Sequence, residues 1–495
     1  MQLSALAKIL PAAKTHGPLD REITGIACDS RRVKKGSLFV ALRGEKVDGH
    51  DFIEAALNQG AAAIVAEKAE PDARATFLVV PDTRPALADV AAAYFQNPSL
   101  HLKMTGVTGT NGKTTFTFLF KHLCERAMLR SGLLGTVRYE IGERILPATR
   151  TTPESLDVQE LLFQTRSAGC KAAVMEVSSH ALAQERVRNV EFDVAVFTNL
   201  TQDHLDYHGT MENYFASKVL LFSGLAAQKK KRSAKAVINL DDRYGVQLAD
   251  ITTKNGTPVL TYGLGARADF RASDVKIDFS GTSYRLDALG KSYLVRLPLI
   301  GRFNVYNSLA ALAAASALDL GVRESVLSLA NAPFVPGRVE AVPAKRQFRI
   351  FVDYAHTDDA LLNVMKTLRE LSPKRLIVVF GCGGNRDKAK RPKMGAAVDQ
   401  LADWAIITSD NPRKEEPEAI IEDVKRGFNN RNYEIVVDRR EAIFKAVAMA
   451  EPRDIVLLAG KGHETYQEFA DHTVPFDDVA VARQALEAHP VETQR

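Results

Sequence analysis

Short apolar runs recur along the chain, each followed by a longer stretch in which apolar positions return every third or fourth residue. Near the start, GSLFVAL (Gly36 to Leu42) reads as a strand, HDFIEAALNQG as a helix ending at Gly60, and AAAIVAE as the next strand. The helical PALADVAAAYFQNP follows, and its Asn97-Pro98 is a stop signal. A second series gives strands at LKMTGV, LLGTV, KAAVMEV, DVAVFTNL and AKAVINL, then the helical NVYNSLAALAAASAL. After the breaker-rich NAPFVPGRVE, a third series runs FRIFVDY, RLIVVFG, WAIITSD, YEIVVD and DIVLLAG. Apolar strands alternating with amphipathic helices predict mostly parallel sheets covered on both faces. The expected architecture is α/β in three domains: 1–98, 99–334 and 335–495. In such sheets ligands sit beyond the carboxyl ends of the strands, so those loops should carry the chemistry.

A length of 495 residues agrees with three domains at about 150 residues each. No apolar run suits a bilayer span, and MQLSALAKILPAAK reads as a short amphipathic helix, not a signal peptide. The four cysteines lack paired spacing, which argues against a disulfide framework or a zinc site and for a cytoplasmic enzyme. A net charge of +5 is slight, and the basic QKKKRSAK has no interleaved aromatics, so a solvated turn is expected there and nucleic acid is not.

TGVTGTNGKTT (Thr105 to Thr115) joins a strand to a helix. It resembles a phosphate-binding loop, except that Val107 stands where the usual pattern has glycine. Gly106, Gly109 and Gly112 would let the backbone curl with its N–H groups inward, Lys113 would reach the outer phosphates, and the Thr114 hydroxyl would ligate Mg²⁺. Glu176 in MEVSSH and His204 in FTNLTQDHLDYHG end successive strands and suggest a two-metal site. Lys218 in FASKVLLF reads as a solvated helix lysine. The loop alone leaves open a kinase, a motor, a switch or a ligase.

GTNGKTT, TTPES, MEVSSHALAQERV, FTNLTQDHLDYHG and FASKVLLF together resemble the central domain of the Mur ligases, ATP-dependent amide-forming enzymes of peptidoglycan synthesis. That family's loop carries the same displaced glycine, and the resemblance spans the whole chain. It implies a central P-loop-type, mostly parallel sheet and a Rossmann-like C-terminal domain. It also implies two Mg²⁺ ions: Thr114 and Glu176 would hold one, and Glu176 and His204 the other, helped by Lys218 as N6-carboxylysine, its carbamate. Lys113, Glu176, His204 and Lys218 would be catalytic. ATP would meet Gly109, Thr110, Asn111, Gly112, Lys113, Thr114, Thr115, Asn304, Arg338 and Asp353. The segment CDSRRVKKGSLFVALRG would place Ser30 near a uridine, while Thr151, Thr152, Ser178, Gln184 and Arg186 would contact UDP-MurNAc-dipeptide. Asp358 departs from the family's usual proline and puts the start of the following helix in doubt.

DNPR (Asp410 to Arg413) resembles the signature of Mur ligases that add meso-2,6-diaminopimelate to UDP-MurNAc-L-Ala-D-Glu rather than L-lysine. Arg413 and Arg386 would bind carboxylate, Asp410, the Gly460 carbonyl and Glu464 would accept from the distal ammonium, and Asn411 would join them. The expected enzyme is a cytoplasmic monomer that forms an acyl phosphate and closes its C-terminal domain over it. Its alternatives are the same reaction with L-lysine, a folylpolyglutamate synthetase-like ligase and a P-loop motor.

Overall fold

The computed structural model describes residues 1–44, 47–68, 71–344 and 346–488. Two compact units divide them. The first is Met1–Ser273 with Leu286–Tyr293 and Tyr306–Ser328; the second is Asp274–Arg285, Leu294–Val305 and the chain from Leu329 onward. The principal sheets draw their strands from residues 14–79, 103–297 and 340–459.

The first sheet runs Lys14–His16, Thr76–Val79, Ala63–Ala66, Ser37–Val40, Gly25–Ala27, antiparallel only in its first pair. The predicted strands GSLFVAL and AAAIVAE are its buried members Ser37–Val40 and Ala63–Ala66. The helix expected over HDFIEAALNQG divides into a 3₁₀ turn, Gly49–Phe52, and an α-helix, Ile53–Asn58. Asp48 caps the turn by accepting from the His50 N–H at 3.0 Å.

The second sheet has eleven strands. Its parallel core runs Ser131–Leu134, Ala172–Glu176, Lys103–Thr108, Val194–Phe197, Lys235–Asn239, Val259–Gly263. The loops after Ala172–Glu176, Lys103–Thr108 and Val194–Phe197 therefore open side by side at one edge. Strands over Phe270–Asp278, Gly281–Ala288 and Lys291–Leu297 were not anticipated. Their buried and exposed positions largely alternate, so they lack the unbroken apolar runs by which the others were read.

The third sheet, in the second unit, runs Glu340–Val342, Arg349–Asp353, Ile455–Ala459, Leu376–Phe380, Trp404–Ile407, Tyr433–Ile435, antiparallel only in its first pair. Phe351, Val378 and Leu457 pack into one core and Ile350, Val379 and Leu458 into another, which is why its strands read as continuous apolar runs. Asp358 does not disturb the helix after Asp353. Thr357 caps Asp358–Arg369 by accepting from the Ala360 N–H, and Asp358 lies in the first turn, where the helix dipole favours an acid. Among the described residues no helix is long and apolar enough to cross a membrane.

Candidate active site

The strand Lys103–Thr108 delivers the glycine loop to the helix Lys113–Arg126. Gly109 (φ 148°) and Gly112 (φ 88°) lie in the region that favours glycine, and a Cβ there would collide with Thr198 Oγ1 or Asn307 Oδ1. Gly106 differs from expectation. It lies inside the strand, where a Cβ would sit 2.7 Å from the Phe192 ring, so it serves sheet packing and not the curl of the loop. Val107 is likewise a buried strand residue, its carbonyl accepting from the Val177 N–H at 2.8 Å. The displaced spelling thus reflects a loop that begins later. Asn199 pins it: the Thr110 N–H donates to the Asn199 carbonyl and the Asn111 N–H to its Oδ1, both at 2.9 Å. Lys113 Nζ donates to the Gly109 and Thr110 carbonyls at 2.8 Å, and Thr115 is buried in the helix's first turn.

Glu176 ends the neighbouring strand and is 1% exposed. Its Oε1 accepts from Thr114 Oγ1 at 3.0 Å and the Thr136 N–H at 2.9 Å, and its Oε2 from Thr136 Oγ1 at 3.0 Å. Thr136 was missed by the sequence reading because it sits in a loop with no motif of its own. No three His, Cys, Asp or Glu side chains among the described residues gather as a metal group. The Thr114 hydroxyl and Glu176 carboxylate nonetheless present hard oxygens, a donor set that fits Mg²⁺, which takes most of its ligands from water and phosphate. His204, at φ 53°, lies 3.3 Å from Asp203 and packs edge-on against His180. Lys218 is not solvated. It is buried, its Nζ donating to the Gly109 carbonyl at 3.1 Å and lying 4.5 Å from the Tyr214 ring centre. Burial pushes its amine well below the ordinary lysine value, and the Lys113 charge pushes further.

Five of the expected sugar-peptide residues form a network that reaches Glu176. Thr151 Oγ1 lies 3.0 Å from Thr136 Oγ1. Thr152 Oγ1 donates to the Glu176 carbonyl at 2.8 Å and accepts from the Ser178 N–H at 3.0 Å. Arg186 donates to the Thr152 carbonyl at 3.0 Å and to Gln184 Oε1 at 2.7 Å, bringing in Gln184 as well. Glu154 is the common counter-charge of Arg186, Arg150 and Arg84, at 3.6, 3.7 and 4.0 Å, a cluster the sequence did not suggest. Ser30 lies apart from this network, buried in a 3₁₀ turn beside the first sheet and capped by Asp29.

In the second unit, Asn304 is buried and donates to the Ile300 carbonyl at 2.9 Å. Asp353 accepts from the Val339 and Ala355 N–H groups, both at 2.8 Å. Burial raises its carboxyl above the usual range, against the pull of Arg338, which lies over the Tyr354 ring. The ends of the central strands bring Asp410, Asn411, Arg413, Gly460 and Glu464 together. Gly460 (φ 113°) makes room for Asp410: a Cβ would stand 2.6 Å from Asp410 Oδ2. Asn411 Nδ2 donates to Glu464 Oε2 at 2.9 Å, while its Oδ1 accepts from Lys461 Nζ and the Glu468 N–H, both at 3.0 Å. Arg413 donates to Glu468 Oε2 at 2.7 Å and to the Gly384 carbonyl at 2.9 Å. Arg386 is exposed on the neighbouring loop. Lys461 and Glu468 were missed. The first looked like one more polar loop residue, though it is fully buried, and the second belongs to a short hairpin without a clear pattern.

A glycine loop at a strand end, opening a helix with lysine and threonine beside a buried carboxylate, defines a nucleotide-using enzyme of the P-loop class. The chain belongs to the Mur ligase family, and is accordingly an ATP-dependent ligase that forms amide bonds. The family's catalytic domain matches residues 22–95, its middle domain 107–315 and its glutamate ligase domain 337–462. A UDP-N-acetylmuramoyl-L-alanyl-D-glutamate–2,6-diaminopimelate ligase from Syntrophomonas wolfei is 45% identical over 98% of this chain and 99% of its own. A solved structure of a ligase of the same name has 35% identity and a TM-score of 0.73, covering 99% of this chain and 100% of that one. The MurF ligase of Thermotoga maritima in complex with ADP shares the fold, with 20% identity, a TM-score of 0.64 and coverage of 94% and 97%.

Proposed function

We propose that this chain joins meso-2,6-diaminopimelate to UDP-MurNAc-L-Ala-D-Glu in cytoplasmic peptidoglycan precursor synthesis, working as a monomer with domain boundaries near residues 98 and 334. A D-Glu γ-carboxylate oxygen attacks the γ-phosphorus of ATP, releasing ADP and leaving an acyl phosphate. The amine of diaminopimelate then attacks the acyl carbon, losing a proton and expelling phosphate. Lys113 supplies positive charge to the transferring group. Ser30, Thr151, Thr152, Ser178, Gln184 and Arg186 hold the sugar nucleotide, and Asn304, Arg338 and Asp353 serve the nucleotide. Mg²⁺ held by Thr114 and Glu176, with a second ion at Glu176, His204 and carbamylated Lys218, would neutralise phosphate charge.

The observation that carries the choice of amine is that neighbouring strand-end loops bring together Asp410, which stands against Gly460, Glu464, which accepts from Asn411, and Arg413, which is tied to Glu468 and Gly384. Two carboxylates and a guanidinium suit an ammonium and a carboxylate on one carbon, the far end of diaminopimelate. Lysine would leave unfilled the edge of the guanidinium that Glu468 and Gly384 do not engage, and sites built to pair a group reject analogues that lack it. The names of the relatives agree with this reading. An amide-formation assay with meso-diaminopimelate, L-lysine and L-ornithine tests it. Diaminopimelate should be preferred, and Arg413→Ala should impair its use selectively; a wild type that prefers lysine overturns the specificity.

A further inference from the structure

Discrimination by Arg413 requires its guanidinium to be held in place, and DNPR contains nothing that does so. The Arg413 backbone sits at φ 53°, a conformation that non-glycine residues keep only where their surroundings impose it. The surroundings here are a hairpin, Tyr466–Glu468 paired with Thr473–Pro475. The Arg413 N–H donates to the Glu468 carbonyl at 3.0 Å, Gln467 Nε2 to the Asp410 carbonyl at 2.9 Å, and the Glu468 N–H to Asn411 Oδ1 at 3.0 Å. The side chain is tied to the same strand, Arg413 Nε donating to Glu468 Oε2 at 2.7 Å while Nη1 donates to the Gly384 carbonyl at 2.9 Å. A guanidinium carries its N–H donors in a rigid planar fork. With Nε and one Nη1 hydrogen engaged, Nη2 and the other Nη1 hydrogen form the edge that can meet a carboxylate with two parallel bonds.

We propose that Glu468 is a positioning residue for amino-acid selection: its carboxylate holds the Nε side of Arg413 so that the Nη1/Nη2 edge meets the distal carboxylate of meso-diaminopimelate. This rests on the substrate reading above. Glu468 acts through Arg413 and does not itself touch the amino acid. The two side chains are 22% and 41% exposed, so their charge attraction is modest and the restraint is what matters. An arginine released at Nε regains rotamers that substrate binding must freeze again. L-Lysine has no distal carboxylate and gains nothing from the restraint, so losing Glu468 falls on diaminopimelate.

Steady-state amide formation with each amino acid tests this in the wild type, Glu468→Ala, Glu468→Gln, Arg413→Ala and the double alanine variant. Glu468→Ala should raise the KM for meso-diaminopimelate by about tenfold with kcat nearly unchanged, the order expected from freeing one immobilised side chain. The KM values for ATP and the UDP-dipeptide should not move. Glutamine, whose carbonyl still accepts the Nε hydrogen, should recover most of the loss. In the Arg413→Ala background, Glu468→Ala should add nothing. A wild-type KM in Glu468→Ala, or additive losses in the double variant, while Arg413→Ala is impaired, overturns the role of Glu468 alone. Unimpaired diaminopimelate use by Arg413→Ala instead overturns the substrate reading, and this inference with it. Should the alanine variant fail to fold, Glu468→Asp, a methylene shorter, must raise the same KM; if it does not, the inference fails.

Discussion

Lys218 stands where a positive charge is disfavoured. Burial works against the ammonium and Lys113 repels it, while Asp203 pulls the other way. Under the proposed modification the amine nitrogen would attack carbon dioxide: an N–C bond would form, a proton would leave, and an anionic carbamate would remain. Protein equilibrated with ¹³C-bicarbonate should therefore show a carbamate carbon resonance that Lys218→Ala lacks. A wild-type spectrum without that resonance would remove the proposed modification. The sequence could show that a lysine stands at this position but not its environment. In the helix Met211–Ala227 it reads as a solvated residue, and what buries it includes a loop carbonyl 109 residues earlier in the chain. Asn411 shows the same limit. The resemblance gave it a place among the substrate residues, but not its bonds to Lys461, Glu464 and Glu468, an arrangement that only the assembled loops create.

At the scale of the element, the strand expected at LLGTV stops at Leu134, and the residues beyond it turn toward Glu176. Gly135 leaves room for the carboxylate there, since a Cβ would lie 2.5 Å from Glu176 Oε1. Gly135→Ala should displace the carboxylate and lower kcat by about 10²-fold, the scale of an ångström-sized misplacement, with the Mg²⁺ concentration for half-activation raised. Magnesium titration of the ADP-forming rate checks it, and a wild-type response would show that Glu176 tolerates the shift. Parallel strands buried on both faces were legible because every position is apolar, as in LIVVF and IVLLA. The meander from Phe270 to Leu297 was not, because buried positions there are interrupted by exposed or half-buried ones, which broke the runs.

At the scale of the molecule, the three principal sheets could be read from three series of strands, and so could the strand-end loops where chemistry was expected. The polar pairs that lock those ends could not. Arg439 and Asp478 are wholly buried and joined at 2.7 Å, and Arg439 also donates to the Ala459 carbonyl at 3.0 Å, just before Gly460. Asp478→Ala would leave a buried arginine without its counter-charge and should destabilise the second unit by about 3–5 kcal/mol. Chemical denaturation should show it as a lower midpoint, and an unchanged midpoint would mean that water reaches the pair. The hairpin at Tyr466 to Pro475 has a consequence of another kind. Its ties to Asp410, Asn411 and Arg413 make two distant stretches of sequence one mechanical unit. A lineage altering its choice of amine could begin in either stretch, and a tetrapeptide transplanted without its hairpin would arrive as a word without its grammar.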